Sequence, residues 1–519
     1  MRTDLTDGAG HDEDGAAASN AIVHLPSEEF VMSQPDQFPH PVRFPLGDYL
    51  PQQNTTRTVT EPARDVPVLT ECDVAVFGGG PAGVCAAAAA ARAGKHVVLV
   101  ERHGFLGGMA TAANVNIWHS LYGTDHATKI IGGLPDEIIR RLQHLGAVEN
   151  RAKDGETGEW TVDSETTKLV MDDVVIGSGV KLLLHTWLAG VVMDERRVAA
   201  ALVENKSGRQ AIVARTYIDC TGDADLVRRA GAAIQIGNGS AGTSGGGGCQ
   251  PPTLCFRVHS DGDPVKPLHE VQAELGKLEM DYKREKYTCF LWGTAGVFDK
   301  HEYMLAGTRV LGVNVADGLD FTRAEIEARY QMRWVLDRMR SMTGWEQVRL
   351  LDIAAQIGAR ESYRILADHQ LQRIELLEGR PFEDSIAQGT YRIDIHHMDG
   401  PGITFEYLDG RREIIAGDRQ RTVERWDGQP ADAAPRQTLC YHVPYRSLIP
   451  RDLDNVLAAG RCIGADHAAA AGLRVMINAM GFGQAAGTAA AMMDGGAGVR
   501  GVDVKALRAC LVRDGVPLR

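Results

Sequence analysis

The segment from Asp73 to Glu101, DVAVFGGGPAGVCAAAAAARAGKHVVLVE, constrains this chain more than any other, because it holds the parts of a nucleotide-binding βαβ unit in their physical order. Val74 to Phe77 form a short apolar run suited to a buried parallel strand. The run stops at Gly78, Gly79 and Gly80, and Gly78, Gly80 and Gly83 fill the G-x-G-x-x-G positions. In that pattern the first glycine permits the tight turn, the second lets backbone approach a pyrophosphate, and the third lets the helix pack close to the strand. Pro81, followed by Ala82, fits the start of a helix, where no amide hydrogen bond is lost. The free amides of that helix then face a phosphate. From Val84 to Ala93 the chain is almost all alanine, as expected of a helix pressed on a sheet, and Val97 to Val100 read as the second strand. Glu101 closes that strand, where an acid accepts hydrogen bonds from a ribose. A plain strand-to-helix turn would explain the glycines but not Glu101.

At 519 residues the chain can form two or more domains, and 44% hydrophobic with 24% charged residues is the balance of a soluble globular protein. The formal net charge of −13 works against binding nucleic acid or an anionic membrane surface. Residues 1 to 20 lack the apolar segment of a secretory signal, and no run reaches the length of a membrane span. Nine cysteines without a C-x-x-C pair argue against a zinc site, an iron–sulfur cluster or a redox dithiol, so no metal is expected. Buried free thiols in a reducing cytoplasm are the expectation. Nothing in the sequence sets the oligomeric state.

Residues 1–60, rich in Pro, Asp, Gln and Thr, predict a disordered or loosely docked extension. Residues 178–222 read as successive strands, the last ending at Gly222. TRAEIEARYQMRWVLDRMRSM and QIGARESYRILADHQLQ both have helical spacing. Gly237 to Gly248 reads as a flexible loop, a linker or else a lid. Near the C-terminus NVLAAGRCIG is a strand meeting Gly460, and LRVMINAMGFGQAAGTAAAMM is a small-residue helix made for tight packing. The predicted fold is α/β: a discontinuous Rossmann-like nucleotide domain with a parallel sheet, from 61–235 and 441–519, around a mixed α+β substrate or cap domain at 236–440.

Four motifs beyond the βαβ unit carry a family resemblance. They are Phe105-Leu106-Gly107-Gly108-Met109-Ala110-Thr111, Ile218 to Asp225 (IDCTGDAD), Ile357 to Ser362 (IGARES), and the block from Val443 through Gly460 and Arg461 to Met476. With them the chain resembles the bacterial FAD-dependent oxidoreductases of the glutathione-reductase-like superfamily, distantly related to fumarate reductase flavoproteins, from about Pro62 to Met493. The resemblance implies FAD as cofactor, with Arg102 beside Glu101 and Gly107, Gly108 and Met109 near the pyrophosphate and ribityl portion. Thr221 and Gly222 would meet the adenosine end, Thr186 to Ala189 would lie beside adenine, and Gly460 and Arg461 would meet the pyrophosphate. A helix beginning near Arg474 or Val475 would aim its N-terminus at the pyrimidine side of the flavin, where negative charge develops on reduction. Asp466 and His467 depart from the pattern, standing where relatives commonly have Thr or Ser followed by His.

A flavin carries the redox chemistry, so the protein must orient a small-molecule substrate and move protons. His119, shortly after the GGMAT segment, is the first candidate base; a structural histidine or a covalent flavin tether are its alternatives. His396 in IDIHHMD comes next. Arg360 resembles an electrostatic anchor near the flavin or a substrate carboxylate, against an internal ion pair. Tyr441 and Arg446 are further pocket candidates. The expected function is a dehydrogenase or oxidase passing hydride between a substrate carbon and flavin N5. A flavin-dependent monooxygenase or tailoring enzyme, and a flavin-binding module without turnover, are the alternatives.

Overall fold

The sequence from Val68 onward lays down a parallel sheet whose strand ends converge on one edge. A computed structural model describes residues 49–51, 57–151, 159–239, 248–261, 267–277, 279–282, 285–288, 291–400, 402–417, 420–493 and 498–519. Most of the expected extension at 1–60 and most of the glycine loop at 237–248 lie outside these residues.

Strand β1 (Val68–Phe77) leads into helix α1 (Pro81–Arg92) and strand β2 (Val97–Val100). Strands β3 (Lys181–Leu183), β4 (Trp187–Asp194), β5 (Arg197–Asn205) and β6 (Gly208–Asp219) follow, with β7 (Val456–Ala458) arriving from the far end of the chain. The sheet order is β3-β2-β1-β6-β5-β4. Strands β1, β2, β3 and β6 run parallel, whereas β4 and β5 form an antiparallel meander. The long β6 pairs with β5 along its first half, while its last residues, Tyr217 to Asp219, pair in parallel with β7. In register Phe77 lies opposite Val100 and Asp219, and Asp219 opposite Ala458. The chain therefore leaves four neighbouring strands at one level, through Gly78, Glu101, Cys220 and Ala459.

Alanine on every side of α1 is explained by its neighbours. One side meets the sheet and another meets the helix α3 (Met476–Met492), which follows the short helix α2 (His467–Leu473). A Cβ at Gly483 would stand 2.0 Å from the Ala82 carbonyl oxygen, and one at Gly487 2.1 Å from that of Ala86. These two glycines, four apart and so on one face, let α1 and α3 pack backbone to backbone.

The intervening region is mixed. One antiparallel sheet has the order Trp292–Ala295, Glu302–Ala306, Cys255–His259, Arg349–Ile353, and packs with the helix Gly318–Arg340 through Phe256, Val335, Met339 and Trp345. A second runs Ile393–His396, Ile403–Glu406, Arg411–Ile415, Arg421–Arg425. The helical spacing of QIGARESYRILADHQLQ misleads: residues 356–372 are irregular apart from the short strand Tyr363–Ile365. The reason is polar burial. Glu361, Ser362 and Arg364 are all buried, and besides the Arg364–Glu361 pair they reach His467, Asp223 and the carbonyls of Ala465 and Gly237, distant partners that a helix would not bring together. Among the described residues no helix is long and apolar enough to cross a membrane.

Candidate active site

The strand ends open on a cavity of about 470 Å³. Its nucleotide end is made of backbone. Gly78 has φ +95°, and a Cβ there would lie 2.4 Å from the Cys220 carbonyl oxygen; a Cβ at Gly83 would lie 1.8 Å from that of Gly78. Both glycines are required by the protein itself. Gly80 is different: a Cβ would meet nothing nearer than the Gly108 Cα at 3.8 Å, its backbone is extended, and it lines the cavity. Packing thus imposes no glycine at 80, and the backbone there is left open to close approach from the cavity.

Two helices present their first turns to the same space. Gly80 is the N-cap of α1 and Val475 that of α3; neither helix start has a side-chain cap, and both line the cavity. Their free amides suit a pyrophosphate and the electron-rich edge of a flavin. Glu101, 5% exposed, accepts from the Gly79 amide at 2.6 Å through Oε2 and from the His103 amide at 2.8 Å through Oε1. It therefore ties the glycine turn to the end of β2, and each oxygen keeps a lone pair for a ribose hydroxyl.

Asp219, which sequence reasoning passed over inside IDCTGDAD, organises the next turn. Its Oδ1 accepts from the Thr221 hydroxyl at 2.7 Å and amide at 3.1 Å, and its Oδ2 from the amides of Leu226 and Val227. Burial pushes its carboxyl up to about 6. Arg461 reaches across to Asp223 Oδ1 and to the Ser362 hydroxyl, each at 2.6 Å.

The other end is made of side chains. His119 meets the ring of Tyr391 edge-on at 5.0 Å between centroids, its Nε2 lies 3.3 Å from Thr390 Oγ1, and Glu159 Oε1 stands 3.9 Å from its Nδ1. Burial lowers the His119 pKa from its ordinary value, with Glu159 opposing the shift, so the imidazole is neutral near pH 7. Thr390 Oγ1 donates to the Tyr122 carbonyl at 3.1 Å. Its lone pair then accepts from His119 Nε2–H, which assigns the free lone pair to Nδ1, whose nearest polar neighbour among the described residues is Glu159 Oε1, beyond hydrogen-bond distance.

Asp394 is the hub beside it. Its Oδ2 accepts from the Tyr391 hydroxyl at 2.7 Å and Arg474 Nη2 at 3.1 Å, and His396 Nε2 is 3.3 Å from Oδ1. Burial and the Arg360 charge hold His396 well below the usual imidazole range, so it too is neutral. Arg360 donates through Nη1 to the Pro251 carbonyl at 2.7 Å and Thr253 Oγ1 at 2.6 Å. Burial and Arg474 bring it down to about 10, still cationic at neutral pH. The internal ion pair weighed for Arg360 is not formed with any described carboxylate.

Most of the residues singled out in the sequence converge on the cavity: Gly78, Gly80, Pro81, Ala82, Glu101, Arg102, Gly108, Met109, His119, Thr221, Gly222, Arg360, His396, Gly460, Arg461, Arg474 and Val475. Gly83 and Gly107 stand behind the wall, Gly83 packing on Gly78 and Gly107 donating to the Gly79 carbonyl at 2.8 Å. Ala189 is not brought to the cavity. The Thr186 amide bonds to the Glu101 carbonyl, but the chain then runs along edge strand β4, where Ala189 is exposed. Tyr441 is buried against Gly472 and Asn478, and Arg446 pairs with Asp384, so neither lines the cavity. Asp466 is the N-cap of α2, accepting from the Ala469 amide, and His467 pairs with Glu361; the departure from the family pattern is structural. Sequence reasoning missed Glu159, Trp292, Gln356, Tyr391, Arg392 and Phe405, which also line the cavity. Tyr391 and Arg392 directly precede IDIHHMD, and Gln356 directly precedes IGARES, so these three were within reach of a motif; Glu159, Trp292 and Phe405 carry no local signal.

The sequence profile of the FAD dependent oxidoreductase family matches residues 73–511. The chain belongs to that family, and FAD is its cofactor. It is similar to the thiamine thiazole synthase of Methanococcus vannielii, 27% identical over 168 residues, which are 31% of this chain and 59% of that protein. The thiamine thiazole synthase of Methanococcus aeolicus is 29% identical over 160 residues, 29% of this chain and 55% of that protein. The chain spans little more than half the length of these curated relatives. Among solved structures, a geranylgeranyl bacteriochlorophyll reductase-like protein of Thermoplasma acidophilum matches with TM-score 0.40 and 10% identity over 81% of this chain and 78% of that one. The flavin-dependent brominase Bmp2 matches with TM-score 0.38 and 13% identity over 86% and 83%.

Proposed function

We propose that this FAD-dependent oxidoreductase is a dehydrogenase or oxidase of a small molecule, in the glutathione-reductase-like superfamily, with His119 as its general base. The observation that carries the reading is a neutral imidazole on the cavity wall whose Nδ1 lacks a hydrogen-bond partner among the described residues while Nε2–H is held by Thr390. FAD, when bound, supplies the two-electron chemistry. The nucleotide end, from Gly78 and Gly80 to Glu101 and Thr221, holds the adenosine and pyrophosphate. The first turn of α3 faces the pyrimidine edge and favours negative charge there. His119 takes the substrate proton on Nδ1, and Glu159, 3.9 Å away, stabilises the imidazolium that forms. Asp394 holds Tyr391 and Arg474 in place around it.

The test is His119→Ala in single-turnover mixing. The variant is expected to bind FAD like the parent but to slow substrate-driven flavin reduction roughly 10²–10⁴-fold. Acid precipitation should leave the yellow colour in the supernatant of both proteins. Colour retained only in the parent's pellet would make His119 a covalent tether, and an unchanged reduction rate would remove it from the chemistry.

A further inference from the structure

Next to His119, Arg392 is a cation without an acceptor among the described residues. Its guanidinium lies over the rings of Phe405 at 4.5 Å, Tyr391 at 5.3 Å and Tyr407 at 5.9 Å. Nε is buried with no hydrogen-bond partner, and no described carboxylate pairs with the group. The other arginines of the cavity are engaged differently. Arg461 is paired with Asp223, Arg474 with Asp394, Arg151 with Glu159, Arg102 with Gln356, and Arg360 donates to Pro251 and Thr253.

A half-buried guanidinium stacked on aromatic faces keeps its N–H donors in the plane of the fork, where they suit a planar anion. Leaving a buried donor such as Nε without an acceptor is costly. Its nearest contacts are the rings of Phe405 and Tyr391, and Trp292 and Ile403 add apolar lining to the same cavity; the Asp394 and Glu159 carboxylates act on its charge without bonding it. An anion at Arg392 would therefore be attached to an apolar, ring-like body. It would also lie on the same Tyr391 ring that His119 touches.

We infer that the substrate of this enzyme is a carboxylate on an apolar, planar body, with its carboxylate taken by Arg392 and its ring by the aromatic wall. This deepens the oxidoreductase reading and rests on it for the word substrate; the binding itself does not require turnover.

The probes are benzoate, phenylacetate and 3-phenylpropionate, each against its neutral primary amide, titrated into the FAD-loaded protein. Binding is read by calorimetry and by the flavin difference spectrum. At least one acid should bind ten- to a hundredfold tighter than its amide, the worth of a charge-assisted pair. Arg392→Gln should abolish that preference and Arg392→Lys should keep part of it, with FAD content and thermal unfolding as the check that both variants fold. Equal binding of acid and amide, no binding of any acid at about 10 mM, or a preference that survives Arg392→Gln would overturn the inference. Carboxylate preference without flavin reduction by any metabolite would leave the anion site standing and remove the dehydrogenase reading. Flavin reduction by a neutral metabolite, without acid preference, would do the reverse.

Discussion

At the nucleotide end of the cavity Gly78, Gly80, Gly222 and Gly460 offer backbone, whereas at the reactive end His119, Tyr391, Arg360 and Arg392 offer side chains. The first set follows three strands of one sheet whose ends are aligned by hydrogen-bond register. The second comes from distant stretches of chain that meet only in the finished fold. The nucleotide end can thus be rigid and specific for a common group, while the reactive end changes chemistry by exchanging side chains.

That comparison can be broken most sharply at two glycines three residues apart. Gly83→Ala puts a Cβ 1.8 Å from the Gly78 carbonyl oxygen and is expected to cost about 3 kcal/mol or more of stability even without cofactor, measured by denaturant unfolding of the apoprotein. Gly80→Ala meets no protein atom closer than 3.8 Å. It should leave apoprotein unfolding within about 0.5 kcal/mol of the parent while weakening FAD roughly tenfold or more. Equal loss of stability in both variants would show that Gly80 is a packing glycine like its neighbour.

Glu101 probes the one side chain on which the backbone end depends. Glu101→Gln keeps the shape, but an amide nitrogen cannot accept, so the amide of Gly79 or of His103 loses its partner at about 1–3 kcal/mol. FAD titration should show a dissociation constant raised roughly ten- to a hundredfold. An unchanged constant would reduce Glu101 to a strand-end acid.

The smallest effect is at the reactive end. Because burial lowers the His119 pKa and the neutral form is the base, substrate-driven flavin reduction should be flat above about pH 7. It should fall on the acid side with a midpoint below 6.5. Glu159→Gln removes the carboxylate that opposes this shift, so the midpoint should move further toward acid. A midpoint above 6.5 in the parent would contradict the assignment.

The contrast between the ends also explains what could be read from the sequence. The βαβ unit is local: strand, glycines, Pro81 helix and Glu101 follow within one segment, and the structure places each where the pattern puts it. Gly483 and Gly487 were legible as tight packing but not as packing on Ala82 and Ala86, because the partner lies some four hundred residues away. Residues 356–372 misled, since apolar spacing says nothing of distant buried polar partners such as Asp223 for Ser362 and the Ala465 carbonyl for Arg364. Glu159, Trp292 and Phe405 had no motif around them, and only the fold brings them to the cavity that His119 lines.

The central claim, that a small molecule reduces the flavin directly, is tested by anaerobic mixing of the FAD-loaded protein with a metabolite library and, separately, with reduced nicotinamide nucleotides. The account predicts that a metabolite bleaches the flavin absorbance without any nicotinamide donor, and that His119→Ala slows this bleaching. Bleaching by the nicotinamide donor alone, with no metabolite able to replace it, would contradict the account and point to the oxygen-using alternative.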